Sequence, residues 1–205
     1  DVGGNIGVFA TYCASKCGPR GRVIACEPIP TTFQALEDNV ELQRAAGGLL
    51  APVAALNVGV SDGAASSAEF TFYPNAAGWS SRYPDPQESS DALGVYLDNA
   101  LENMTGLDEK SLVNRLGRLL IRAFPRGLFN LVRRAVTSWL VWGAQQVACP
   151  LVTVSDIVDE HGLPEIGLLK VDVERAELDV LRGVEGRHWP IIRQVALEAH
   201  GGPGP

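Results

Sequence analysis

The chain opens on Asp1-Val2-Gly3-Gly4-Asn5-Ile6-Gly7, a glycine-punctuated turn between an acid and an apolar helix. Glycines there let the backbone take left-handed conformations and approach a bulky ligand closely. About twenty residues further on, the apolar run Arg22 to Cys26 ends in Glu27-Pro28, the interval a helix, a turn and a second strand require. An acid at the tip of that second strand is placed to accept the paired hydroxyls of a ribose. These features together commit the amino end to a β-α-β unit with its ligand outside the carboxyl ends of the strands.

The turn is not the dinucleotide one. In G-x-G-x-x-G the last glycine lets a helix end support a pyrophosphate. Counting from Gly3, the second and third glycine positions hold Asn5 and Val8. The spacing suits a nucleoside cofactor without a pyrophosphate. Asp1, Gly3, Asn5 and Gly7 are then expected to shape the cofactor turn, Glu27 to bind the ribose and Asp62 to flank the base.

The alternation continues down the chain. Val8 to Lys16 is expected to be a helix stopped by Gly18-Pro19, and Pro30-Thr31-Thr32 starts another with Phe33, Leu36, Val40 and Leu42 near helical period. Val53 to Val60 is a third apolar run and Ala68 to Tyr73 a period-two strand. After Cys149, Pro150 to Thr153 is extended, Ser155 caps a helix to His161, and Ile166 to Val173 is a strand. A helix over Glu177 to Val184 and a buried strand over Ile191 to Leu197 complete the series. The fold class is α/β, a Rossmann-like parallel sheet with right-handed crossovers. Residues 1–205 form one domain with a mainly helical insertion at about 84–147.

That insertion is electrostatically distinct. Lys110 to Arg134 holds seven of the 17 basic residues, and no acid occurs between Ser111 and Val147. The rest of the chain carries ten bases against 24 acids, and the overall charge of −7 argues against nucleic-acid binding. Leu116, Leu119, Leu120 and Phe124 form an apolar set beside an arginine ladder. The segment reads as a lid or a packed helical insertion, in preference to a membrane-surface contact through residues 110–142. Cys13, Cys17, Cys26 and Cys149 fit no zinc spacing, so no metal is expected and a reduced, cytoplasmic setting is. The chain begins inside a motif without Met, so more chain is expected before it, and the tail Gly201 to Pro205 is expected to lead on further.

Acids recur where strands should end: Asp1, Glu27, Asp62, then Asp172 with Glu174, and Glu198 beside His200. Lys170 and Asp172 share a face of one strand and should satisfy each other, since an unpaired buried charge is costly. Asp172 sits nearer the strand end, where substrate binds. Of the three histidines only His200 falls at a strand's carboxyl end, and a histidine or carboxylate there is suited to take a proton from a hydroxyl. Asp172 and His200 are the candidate catalytic residues. Two rivals stay open at this point, a nicotinamide-dependent oxidoreductase and a catalytically degenerate module acting as scaffold or membrane adaptor.

Asp1 to Gly7, Glu27-Pro28-Ile29-Pro30, Leu168 to Glu174 with Glu177, and Val195 to His200 resemble the FkbM-type methyltransferases. The stretch Val173 to Leu181 looks like versions embedded in polyketide and peptide megasynthases. The resemblance covers roughly residues 1–75 and 148–200. It implies S-adenosylmethionine as cofactor and O-methylation of a hydroxyl on a small molecule, a sugar or a carrier-bound polyketide or peptide. Two positions depart from the family pattern: Gly4 stands where alanine is usual, and Arg175 where many members have glycine.

Overall fold

The computed structural model describes residues 1–84 and 126–198, with only the backbone for residues 126–130, 132 and 133. His200 and most of the basic segment lie outside the described residues. Two compact units make up the chain: Asp1–Phe72 with Ala77–Pro84 and Gln145–Pro205, and Tyr73–Ala76 with Asp85–Ala144.

The first unit runs α1 (Val8–Ala14), β1 (Val23–Cys26), α2 (Pro30–Ala45), β2 (Val53–Leu56), β3 (Gly59–Val60) and β4 (Ser67–Phe72). After α3 (Arg126–Val141) of the second unit come β5 (Gln145–Val152), α4 (Val154–His161), β6 (Leu169–Val171), α5 (Glu177–Arg182) and β7 (Val195–Leu197). The protein is mixed α/β, built of small sheets. β1 pairs parallel with β2, and β6 with β7. Val2 makes parallel bridges to both Cys26 and Val171, which puts these strands in the order β2, β1, Val2, β6, β7.

Alternation along β1 explains its continuous apolarity. Val23 and Ala25 pack with Ala10, Ala14, Leu36 and Val40 of the first two helices. Cys26 packs with Val60, Ile157, Val171 and Val180 in a second cluster. A strand buried on both faces has no position left for a polar side chain. Pro30 starts α2 at a position where its missing N–H costs nothing.

The expected single strand over Val53 to Val60 is divided. Asn57 donates from Nδ2 to the carbonyls of Glu27 (2.8 Å) and Pro28 (2.9 Å), which turns the chain out of β2. Gly59 and Val60 then pair parallel with the end of β5, and β4 pairs antiparallel with β5 from Ser67↔Pro150 to Phe72↔Gln145. β5 begins at Gln145, ahead of the expected Pro150, because β4 gives it a full ladder to pair with. In the second unit, Asn75 Nδ2 donates to the Trp139 carbonyl (2.9 Å) at the end of α3.

Thr153, and not Ser155, caps α4. Its hydroxyl accepts from Asp156 N (2.9 Å), while its own N–H donates to Asp156 Oδ2 (2.8 Å), a reciprocal capping box. Ser155, two residues on, is buried. Its Oγ accepts from Glu185 N at 2.8 Å and lies 2.9 Å from His188 Nδ1, with His188 Nε2 3.4 Å from Asp159 Oδ1. A serine, a histidine and an aspartate in a row suggest a nucleophile, but Ser155 is 1% exposed and its hydroxyl is already engaged. The trio is a clasp that ties α4 to the turn before Trp189. Ser155→Ala strands a half-buried N–H and a buried ring nitrogen, and should cost about 1–3 kcal/mol in urea unfolding.

Candidate active site

The glycine turn is built against two strand ends at once. Gly3 N and Gly4 N both donate to the Cys26 carbonyl, at 3.1 and 2.9 Å. Gly3 has φ 78°, and a Cβ there would lie 1.8 Å from the Asp172 carbonyl oxygen. Glycine is therefore required where the turn crosses the end of β6. Gly7, φ 84°, starts α1 and lies close to Leu36, so its role is helix packing and it does not line the site. At Gly4 a Cβ would meet Leu36 Cδ1 at 2.9 Å, the movable end of a side chain. The family's usual alanine fits there after a small shift.

Beside this turn lies an open cavity. Gly3, Asn5, Glu27 and Asp172 line it, together with an apolar wall of Pro28, Val58, Val60, Phe70 and Leu151. The sequence-based candidates thus divide. Four converge on the cavity, whereas Asp1 and Asp62 are not on its wall. Asp62 is exposed and accepts from Ala64 N at 3.0 Å within its own turn.

Glu27 is the central group. It is buried, and each carboxylate oxygen accepts one backbone N–H: Oε2 from Asn5 (3.0 Å) and Oε1 from Ile29 (3.1 Å). Asn5 holds φ 46°, which aims its N–H at the carboxylate. Burial pushes the Glu27 carboxyl up to about 6, against the opposing pull of those two N–H groups. An ionised carboxylate offers about four acceptor positions, so both oxygens keep one for a ligand.

Lys170 organises the other end. Its ammonium donates to the Gly3 carbonyl at 3.0 Å and lies 3.2 Å from Asp1 Oδ1 and 3.1 Å from Asp172 Oδ2. The Asp1 side chain is almost fully enclosed there, and among the described residues neither of its oxygens makes a hydrogen bond; the Lys170 ammonium compensates its charge. Asp172 is about one-third exposed and reaches the cavity, so Lys170 ties it to the glycine turn.

The turn after β6 is strained. Glu174 and Arg175 take φ 48° and 79°. Arg175 therefore occupies a glycine-type conformation, and the family's frequent glycine at this position answers to the backbone. Arg175→Gly should be tolerated, while Arg175→Val should lower stability by roughly 2 kcal/mol in denaturant unfolding, since a branched side chain resists this conformation.

Ala77, Gly78, Ser80 and Arg82 complete the wall. Ser81 exchanges backbone hydrogen bonds with Thr71, and its hydroxyl donates to the Glu174 carbonyl at 2.6 Å. Ala77, Gly78, Ser80 and Arg82 thereby reach the cavity. No periodicity marks such a strap; only its long-range pairing does.

A family model described as the methyltransferase FkbM domain matches residues 1–205. The chain belongs to the FkbM methyltransferase family. It is 34% identical over 203 residues to the AMB antimetabolite synthetase AmbE of Pseudomonas aeruginosa, covering 98% of this chain and 8% of that protein. It is 32% identical to methyltransferase sdnD of Sordaria araneosa and 31% to the 31-O-demethyl-FK506 methyltransferase FkbM of Streptomyces tacrolimicus, covering 97% and 98% of this chain. The chain spans 64% of each of these two relatives. No solved structure matches it. FkbM membership favours neither the oxidoreductase nor the scaffold alternative. Among the described residues, no helix is long and apolar enough to cross a membrane.

Proposed function

We propose that the chain transfers a methyl group from S-adenosylmethionine to a hydroxyl oxygen of a small-molecule or carrier-bound acceptor. The fold reading that goes with it is a Rossmann-like class I methyltransferase sheet, supported by the parallel order β2, β1, Val2, β6, β7. The observation that carries the proposal is the buried Glu27 carboxylate on the cavity wall, with one acceptor position left on each oxygen. A ribose offers two adjacent hydroxyl donors to match, and the apolar wall from Pro28 to Leu151 suits a flat base. The free acceptor positions on Glu27 and the apolar wall fit the nucleoside.

When bound, the cofactor supplies a methyl carbon that is already electrophilic. The protein's work is therefore alignment and proton removal. Glu27 and Asn5 fix the nucleoside end. Asp172, restrained by Lys170, accepts a hydrogen bond from the acceptor hydroxyl and orients its oxygen. His200, outside the described residues, is the group proposed to take the hydroxyl proton. The FkbM relative's name supports oxygen as the atom methylated.

Two measurements test this. Isotopically labelled S-adenosylmethionine should pass its methyl to an oxygen in a panel of hydroxyl compounds. S-adenosylhomocysteine binding should weaken roughly tenfold between pH 7 and pH 5, because Glu27 titrates near 6 and only its ionised form makes charge-assisted bonds to the ribose. The stability effect runs with the same group but in the other sense. Its pKa is raised on folding from 4.5, so its contribution is fully present below about 4.5 and is lost as pH rises through 6. Ligand-free protein should therefore lose up to about 2 kcal/mol across that window while its affinity rises. Affinity independent of pH over this range contradicts the assignment.

A further inference from the structure

Arg82 is the only cationic side chain among the described residues that line the cavity, where Glu27, Asp172 and Glu174 are the acids. We propose that Arg82 is an anion clamp, binding a carboxylate or phosphate group carried by a molecule in this cavity. The inference rests on the reading of the cavity as a cofactor and acceptor site, and adds the charge its ligand must carry.

The side chain is held in place before any ligand arrives. One terminal nitrogen donates to Ser61 Oγ at 2.9 Å, and the guanidinium carbon lies 5.3 Å from the centre of the Tyr83 ring. The backbone at Ser81, next in sequence, is pinned to Thr71 in both directions. Among the described residues Arg82 forms an ion pair with Asp179 at 3.7 Å, longer than a hydrogen bond. Asp179 is served by other donors: Tyr83 Oη at 2.8 Å and an Arg182 nitrogen at 3.3 Å. Arg82 is therefore not needed to neutralise it. Its Nε and its second terminal nitrogen make no hydrogen bond to any described residue. A guanidinium fixed at one nitrogen, with a fork of donors unspent, matches the two oxygens of a carboxylate or phosphate. Glu27 is a buried acid on the same wall, and a cation beside it offsets its repulsion of an entering anion.

Two molecules could bring that anion: the cofactor, through its amino-acid carboxylate, or the acceptor. The experiment is calorimetry on the full chain and on Arg82→Gln, with three probes. S-adenosylhomocysteine carries the carboxylate, 5′-methylthioadenosine lacks it, and inorganic phosphate reports an anion site separate from the nucleoside. A loss of tenfold or more for S-adenosylhomocysteine, with 5′-methylthioadenosine unchanged, supports the clamp and assigns it to the cofactor. Unchanged nucleoside affinities, with phosphate binding to S-adenosylhomocysteine-loaded protein lost in the variant, support the clamp and assign it to the acceptor. Equal behaviour of both proteins toward all three probes overturns the proposal. Binding of neither nucleoside by the unmodified chain would instead sink the methyltransferase reading, with phosphate on ligand-free protein still testing Arg82. If Arg82→Gln does not fold, Arg82→Lys keeps the charge and loses the fork, and the same comparison applies with a smaller loss.

Discussion

Glu27→Ala is expected to weaken S-adenosylhomocysteine binding by about 100-fold or more. Hydrogen bonds to a charged group contribute roughly 1.5–3 kcal/mol each, and two are proposed between this carboxylate and the ribose. A loss of about 3 kcal/mol corresponds to roughly two decades in Kd. The substitution also removes the acceptors for Asn5 N and Ile29 N, so some loss of thermal stability should accompany it. A 2′,3′-dideoxy analogue separates the two effects. It lacks the hydroxyl donors, and its affinity, weak from the start, should fall far less than that of the parent nucleoside. Calorimetry of both ligands against both proteins makes the comparison, and equal losses would show general damage instead of a lost ribose contact.

Gly3→Ala should be the most destructive glycine-to-alanine change among the described residues. The added carbon would sit 1.8 Å from the Asp172 carbonyl oxygen and 2.9 Å from its carbonyl carbon. Both are backbone atoms of a buried crossing, so no side chain can swing aside. The position also holds φ 78°, which an alanine takes only with strain. A cost above about 4 kcal/mol is expected, large enough to lower the melting temperature by more than about 10 °C. Gly18→Ala is the matched control. Gly18 has φ 72° but no atom within 4 Å of the added carbon, so only the conformational penalty of about 1–2 kcal/mol applies. Circular dichroism melts of the two variants should differ clearly, and similar small shifts in both would show that the crossing is looser than described.

The parts of the fold visible in the sequence are those governed by neighbours along the chain. The glycine turn, β1, α2 and the acid at Glu27 follow from local spacing and the apolar period, and they stand where expected. The pairing of Lys170 with Asp172 follows from strand alternation and is present at 3.1 Å. What patterning misses is set by distant partners. Val53 to Val60 reads as one strand until Asn57 bonds back to Glu27 and Pro28. Ser155 resembles a helix cap, but Thr153 is better placed for one, and the serine is taken by Glu185 and His188 thirty residues away. Arg82 stands in no motif, since it reaches the cavity through pairing of Ser81 with Thr71 and Glu174. Asp62 was expected near the base because it follows an apolar run. The chain leaves that sheet before reaching it, and Asp62 closes a solvent-exposed turn instead.

A crystal structure of the chain with S-adenosylhomocysteine decides whether Glu27 holds the ribose. The nucleoside should lie in the cavity beside the glycine turn, with both ribose hydroxyls within hydrogen-bond distance of Glu27 and the sulfur toward Asp172. A nucleoside bound elsewhere, or one seated there with its ribose turned away from Glu27, would contradict that assignment.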